Sequence, residues 1–452
     1  MLYGVVLAAG RGERLWPLTS TRPKPLLPLP GYGSILARLL LQLRVAGVDG
    51  AAVVAGYMSP VLREYLGWIS GLMGVSVGVA EQEYPRGTGD AVAAGLRGGV
   101  PRAADRLLVV YGDLVVGGDA LRRVVDCEAD VCLLGVRVER PEMYGVVVAD
   151  ASGRVERIVE KPEKPPDNLV NAGVYVFERS VLEELLPELR PSPRGEYELT
   201  DVVNAAARRG LSVRVVEYDG LWIDVGSPWR YLEAVGVVLE EVVERVSPLV
   251  EGEVEPGARL RGPVYVGRES VVRSGTVVEG PAWITGDAGP LSHLRPFSVV
   301  LRSAHVGALV QVKNSVVMEA AKVPHLNYVG DSVVGEFANL GAGTITANLR
   351  FDGRNISMRI RGRLVDTGRR KLGAFIGGQA ETGVNVSLMP GVRVGAWSWV
   401  EPGLVVWRDV PDCCFARSSG VEGLEGRGVT CRPRQPPWEQ PHPALLESPL
   451  SS

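Results

Sequence analysis

The chain has 452 residues, 46% of them hydrophobic and 22% charged, with a formal net charge of −3. That length exceeds what one core serves, so two or three domains are expected, and the composition excludes a largely disordered chain. The 49 basic residues are spread along the chain rather than gathered into arms, which excludes a nucleic-acid-binding stripe and leaves small molecules as the expected partners. The five cysteines (Cys127, Cys132, Cys413, Cys414, Cys431) are odd in number, lack CxxC spacing and have only four histidines to complete a zinc site. A reduced, cytoplasmic protein is expected from them.

The opening "MLYGVVLAAGRG" has no basic leader, and its apolar run breaks at Gly10 and Arg11, too early to span a bilayer. It reads as a first β-strand, and no membrane partner is expected. From there to about residue 235, short Val/Leu-rich runs ("GAAVVAG", "SVGVAEQ", "RLLVVYGD") alternate with helical patterns ("ILARLLLQLRVAG", "SPVLREYLGWISG"). That alternation predicts a parallel sheet with helices on both faces, which binds ligands beyond the carboxyl ends of its strands. A helix near 228–246, ended by Ser247 and Pro248, puts the domain boundary at about 247.

Beyond it the period changes. Val254, Leu260, Val266, Val272, Val278 and Ile284 recur every sixth residue, as do Ile376, Thr382, Leu388, Val394, Val400 and Val406. Leu294, Val300, Val306 and Val312, then Tyr328, Val334 and Leu340, keep the same beat. A six-residue period fits neither a helix nor a simple strand; it predicts a left-handed parallel β-helix of hexapeptide repeats, roughly eight coils, with a polar insertion at 347–372. The expected architecture is therefore α/β over 1–247, a β-helix over 248–417, and a Pro-rich tail over 418–452 that runs extended or poorly ordered.

The strongest local signal is "LAAGRGERLWPLTSTRPKPLLP", residues 7–28. Gly10 and Gly12 let backbone N–H groups approach phosphate oxygens, and Arg11, Arg14, Arg22 and Lys24 supply enough charge for a triphosphate; the plainer reading is a solvated basic loop. The stretch resembles the sugar-1-phosphate nucleotidylyltransferases, and the likeness runs through the whole first domain. The resemblance implies a Rossmann-like nucleotidyltransferase domain with Leu7, Ala9, Gly10, Gly12, Gln82, Gly87 and Thr88 on the nucleotide and Arg14 and Lys24 as catalytic cations. It implies Tyr144, Gly145, Glu160, Lys161 and Asn171 on the sugar, and Mg²⁺ on Asp113 and Asp224. The chemistry agrees: charge builds on the α-phosphate as pyrophosphate leaves, and Mg²⁺ takes one or two carboxylates plus substrate oxygens. Each aspartate alone also reads as a turn or cap residue.

The region around "VPHLNYVGD" resembles the acetyltransferase domain of the bifunctional N-acetylglucosamine-1-phosphate uridylyltransferases. The resemblance implies His325 as base, Arg295, Lys313, Tyr328, Asn339 and Asn348 on glucosamine 1-phosphate, and acetyl-CoA beside Ala342 in "GAG" (341–343) and Gly378. It also implies a homotrimer. A sugar amine must lose a proton before attacking a thioester, and imidazole suits that task; the Gly-rich turn would supply N–H donors for the oxyanion. Three features depart from the bacterial pattern: Gln311 stands where a Glu orients the imidazole, Gly378 replaces a Ser, and "NLRFDG" is two residues longer. Arg350 and Arg354 in that loop read either as extra binding cations or as a solvated pair. A β-helix that serves only oligomerisation is the competing reading. A zinc hydratase is disfavoured because His293, His305 and His325 lie twelve and twenty residues apart. Two substrate pairs stay open: UTP with N-acetylglucosamine 1-phosphate, or, from "PRGEYELTDVVN" (193–204), dTTP with glucose 1-phosphate.

Overall fold

Strand β1 (Leu2–Leu7) is a buried apolar run, and the chain builds outward from it in both directions. In the computed structural model, which describes residues 1–424 and 429–447, the chain forms two compact units. One holds Met1–Arg11, Ile35–Asp224 and, of the last described residues, Leu446 and Glu447; the other holds Gly12–Ser34 and the described residues of Val225–Leu445.

In the first unit, β2 (Gly50–Ala55), β3 (Ser76–Glu81) and β4 (Arg106–Tyr111) lie parallel to β1. Helices α1 (Ile35–Val45), α2 (Ser59–Met73) and α3 (Thr88–Gly98) make the crossovers that parallel pairing requires. The strands β2 and β4 are apolar almost throughout because both faces are covered. The expected all-parallel sheet is not what forms on the other side. After β5 (Leu114–Val116), α4 (Ala120–Val125) and β6 (Val131–Arg137), the hairpin of β7 (Gly145–Ala149) and β8 (Val155–Glu160) replaces a helical crossover. Strand β9 (Leu169–Glu178) therefore enters from the opposite end and pairs antiparallel with β4 and β6. Helices α5 (Arg179–Leu185) and α6 (Leu199–Arg208) then precede β10 (Val213–Glu217), parallel to β6, and β11 (Trp222–Asp224), antiparallel to β5.

In the second unit, α7 (Pro228–Arg245) leads into three stacks of short parallel strands, the walls of the β-helix. Their inward side chains form one dry column: Val266, Val272, Val278, Ile284 and Ala288 are buried, as are Val317, Val323, Val329, Val334, Leu340 and Ile376. Each buried Val is worth roughly 1.5–3 kcal/mol. Tyr328, expected in the column, is displaced by Val329; the beat shortens to five residues between Val312 and Val317 and again between Val329 and Val334, so Tyr328 turns outward. The insertion forms a hairpin of Ser357–Ile360 with Arg363–Asp366.

Helix α7 falls in the same compact unit as the β-helix. Two further expectations are corrected. The tail is not a loose arm: residues 420–423 pair with Cys414–Arg417, and Trp438, Glu439, His442 and Leu445 are buried, with the His442 N–H donating to the Gly31 carbonyl at 2.7 Å. Within that tail, residues 425–428 and 448–452 lie outside the described residues. The cysteines are not all reduced, since Cys127–Cys132 and Cys413–Cys431 form disulfides with Cα–Cα distances of 6.2 and 5.9 Å, leaving Cys414 free. The pairs are five and eighteen residues apart, and no spacing motif marks either of them. No described helix is long and apolar enough to cross a membrane.

Candidate active sites

The first site grows from the ends of the central strands. Leu7 ends β1, Ala9 is buried against Gly56, and Gly10 is exposed with open space where a Cβ would be. Gln82 is 6% exposed and donates to Asp90 Oδ2 at 2.8 Å and to the Gly87 carbonyl at 3.1 Å. Gly87 has φ 114, and a Cβ there would lie 2.6 Å from the Tyr197 carbonyl, so only glycine fits. Thr88 opens α3 and accepts the Leu199 N–H at 2.9 Å.

Asp224 lies opposite Leu114 in the β11–β5 pair, which puts it beside Asp113 in the neighbouring turn. Two carboxylates from facing strand ends fit magnesium, which takes one or two plus substrate oxygens and water; among the described residues no larger His/Cys/Asp/Glu cluster converges as a metal site.

Among the residues expected to hold the sugar, Gly145 faces Glu160 across β7–β8, and a Cβ would come 2.9 Å from Glu160 Oε1. Burial pushes the Glu160 carboxyl above its ordinary range, with Glu198 adding to it and Arg194 and Thr200 opposing. Asn171 is 8% exposed, donates to the Tyr175 hydroxyl and accepts the Gly173 N–H at 3.1 Å. Tyr144 and Trp222 meet edge to face at 5.4 Å. Arg194, Glu198 and Thr200, not singled out in the sequence, gather around Glu160. Arg194 reaches Glu198 at 2.7 Å and Glu160 at 3.4 Å, and Thr200 donates to Glu160 at 3.2 Å; all three lie in the quoted "PRGEYELTDVVN".

The remaining cations sit in the second unit's segment Gly12–Ser34. Gly12 has φ 65, and a Cβ would meet Thr19 Cγ2 at 2.9 Å and Lys24 Cβ at 3.2 Å. Arg14 is exposed and Lys24 half-buried. Arg22, expected on the phosphates, is instead 1% exposed and paired with Glu319 (2.8 Å) and Glu336 (3.3 Å). Burial pulls its pKa down, but the two carboxylates more than offset this and hold it charged.

The second site lies on the β-helix wall. The strands His293–Leu294, Gln311–Lys313 and Tyr328–Gly330 stack in register, which aligns Lys313 with Gly330 and Gln311 with Tyr328, and sets Arg295 one coil before Lys313. Asp331, 3% exposed and not foreseen, is the hub: it accepts from Lys313 at 3.2 Å, from Asn314 at 2.7 Å and from Asn348. Asn348 also donates to the Tyr328 hydroxyl at 3.2 Å. Alternation along "YVGD" would put Asp331 on the inward side with Val329; its left-handed backbone (φ 50) turns it to the wall instead, so no local pattern marked it.

His325 is exposed at the end of the strand Lys322–His325, in register with Ala308. Asn327 Oδ1 accepts its N–H at 3.0 Å, and its carbonyl accepts the Gly343 N–H at 3.1 Å. That last bond, with Gly341 donating to Thr382, occupies two of the three N–H groups expected for the oxyanion, and leaves Ala342. Asn339 stands apart, in register with Lys322 rather than with the Asp331 cluster. Gly378, expected beside acetyl-CoA, is buried under Thr21 and Glu336, whose atoms would lie 2.8–3.0 Å from a Cβ. Arg350 pairs with Asp352 inside its own loop at 2.7 Å. No described side chain links Gln311 to His325.

An α/β unit with a Gly-rich turn after its central strand, followed by a hexapeptide β-helix, is the architecture of a two-activity transferase. Residues 3–241 match the family described as Nucleotidyl transferase. The chain is 39% identical over 412 residues to the bifunctional sugar-1-phosphate nucleotidylyltransferase/acetyltransferase of Sulfurisphaera tokodaii, covering 90% of this chain and 97% of that one. It is 35% identical over 413 residues to the bifunctional protein GlmU of Methanocaldococcus jannaschii, covering 91% and 96%. A putative glucose-1-phosphate thymidylyltransferase from Bacillus anthracis matches 53% of this chain and 95% of its own at 26% identity, TM-score 0.47. The chain belongs to the family of bifunctional sugar-1-phosphate nucleotidylyltransferase/acetyltransferases.

Proposed function

We propose that the chain makes UDP-N-acetylglucosamine from glucosamine 1-phosphate in two steps, acetylating the amine from acetyl-CoA and then joining the sugar 1-phosphate to UTP with release of pyrophosphate. The observation that carries the first step is the Asp331 cluster, which orients Lys313, Tyr328 and Asn348 on one wall with His325 exposed at the adjoining edge. Arg295 and Lys313 hold the phosphate, so that the amine meets His325, which takes its proton. As the amine adds to the thioester carbonyl, the Ala342 N–H faces the developing oxyanion, and coenzyme A leaves as the thiol.

In the second step Arg14 and Lys24 neutralise the triphosphate, while Gln82, Gly87 and Thr88 hold the base and Gly145, Glu160 and Asn171 the sugar. Asp113 and Asp224 would hold Mg²⁺, which supplies charge neutralisation at the α-phosphate. Thymidylyl transfer from dTTP to glucose 1-phosphate is the alternative use of this site. We read the assembly as a homotrimer: Leu291, Leu309 and Leu326 are 60, 56 and 59% exposed at successive turns of one β-helix corner, the corner next to His325. Triphosphate and acetyl-CoA substrates place the work in the cytoplasm. The test is a matrix of UTP and dTTP against several sugar 1-phosphates, with and without acetyl-CoA and glucosamine 1-phosphate. Absence of acetyl transfer would sink the first step.

A further inference from the structure

The segment between the Gly-rich turn and α1 is folded on itself and gripped by the β-helix. Internally, Thr19 Oγ1 donates to the Gly12 carbonyl at 3.0 Å, Leu15 N–H to Gly12 at 2.8 Å and Leu26 N–H to Pro23 at 2.9 Å. Externally, Asp412 accepts from Trp16 Nε1 at 2.9 Å and from Ser20 Oγ at 2.7 Å. The Arg393 guanidinium lies 4.6 Å over the Trp16 ring and is itself paired with Asp409. Arg22 Nη1 and Nη2 form a fork on Glu319, at 3.3 and 2.8 Å, and Nη2 reaches Glu336 at 3.3 Å, all buried.

This arrangement is an expensive way to obtain stability. One guanidinium faces two buried carboxylates, and Glu336 Oε1 and Arg22 Nε have no hydrogen-bond partner. Apolar side chains of the same volume would hold the segment as firmly or better. What a guanidinium fork provides instead is a fixed direction, and Arg22 stands two residues before Lys24 and eight after Arg14. We propose that Glu319, Glu336 and Asp412 are positioning residues for the nucleotidylyl step, acting through Arg22, Trp16 and Ser20 to set Arg14 and Lys24 on the triphosphate. This rests on the reading of Arg14 and Lys24 given above. It makes the first chemistry depend on carboxylates of a domain otherwise assigned to the second.

The test uses the full chain and four variants: Glu319→Gln, Asp412→Ala, Asp412→Asn and, as reference, Lys24→Ala. Steady-state kinetics of pyrophosphate release give kcat and KM for the triphosphate; acetyl transfer on the same samples reports whether the β-helix is intact. Glu319→Gln and Asp412→Ala are expected to lower nucleotidylyl kcat/KM roughly 10- to 100-fold, the scale of a misplacement near 1 Å, with acetyl transfer within about twofold. Asp412→Asn, which keeps one acceptor oxygen, is expected to recover part of the loss. Nucleotidylyl kinetics unchanged in Glu319→Gln and Asp412→Ala would overturn the proposal, as would both activities falling in proportion, which marks a merely structural role. If Lys24→Ala is inactive while Asp412→Ala is unaffected, only the positioning claim falls; if Lys24→Ala is itself silent, the phosphate reading falls too.

Discussion

Lys313 Nζ lies 3.2 Å from Asp331 Oδ2, and the carboxylate that holds it is almost wholly buried while the lysine side chain keeps 24% of its surface exposed. The pair is asymmetric: the wall keeps the acceptor and offers the cation outward. Replacing Asp331 by Asn puts an amide donor among three donors, from Lys313, Asn314 and Asn348. We expect Asp331→Asn to raise KM for glucosamine 1-phosphate about tenfold or more, because removing one partner of a buried charged hydrogen bond costs on the order of 1.5–3 kcal/mol, with pyrophosphate release unchanged. Equal KM values in the acetyl transfer assay would contradict this.

Gly330 tests the same wall sterically. A Cβ there would lie 2.6 Å from the Tyr328 hydroxyl and 2.8 Å from Asn348 Nδ2. Gly330→Ala should therefore push both side chains off the cluster and cut acetyl transfer several-fold. Thermal unfolding should move little, because the inward column is untouched. A variant as active as the parent would show that neither side chain binds substrate.

His325→Ala should lower acetyl transfer by about 10²–10⁴, the usual worth of a general base, and leave the nucleotidylyl step within twofold. Assay of both reactions on one preparation decides it. Survival of acetyl transfer would remove His325 from the chemistry.

Asp113→Asn and Asp224→Asn should each suppress pyrophosphate release and raise the magnesium concentration needed for half-maximal rate. Their positions across the β5–β11 pair predict that the double variant is little worse than either single one, since the two act as a unit. Additive losses in a magnesium titration would mean separate roles.

Glu439 gives a pH prediction. Burial pushes its carboxyl up to about 7, with Glu319 adding to this while the Arg302 N–H, Thr285 and Trp283 oppose. A raised acid binds its proton more tightly folded than unfolded, so its contribution is most favourable below the unfolded value and is lost as pH rises toward about 7. At pH 8 the penalty is on the order of 3 kcal/mol. The Tm of Glu439→Gln relative to the parent should therefore rise between pH 5 and pH 8; parallel curves would show that Glu439 does not titrate there.

Much of this molecule is legible residue by residue. The hexapeptide beat, the Gly-rich turn after β1 and the alternation of Val runs with helical patterns are local properties, and each is readable because its cause lies within a few neighbouring residues. So is Gly12 as a position that takes positive φ, although Gly10, read the same way, does not; His325, Arg295 and Lys313 are legible only as positions that match a family motif.

What the amino-acid order determined by itself was the pair of architectures and the residue types placed at each site. Only the tertiary structure decided which of several similar side chains does what. Arg22 and Arg14 look alike in one basic loop, yet one is buried against Glu319 and the other is exposed. Tyr328 kept the six-residue beat and still lost the core to Val329, because a wall shortened by one residue turns its neighbour inward. The Pro-rich tail finds Gly31 for the same reason: burial and pairing depend on partners distant in sequence, and no local pattern records where a folded chain will bring them.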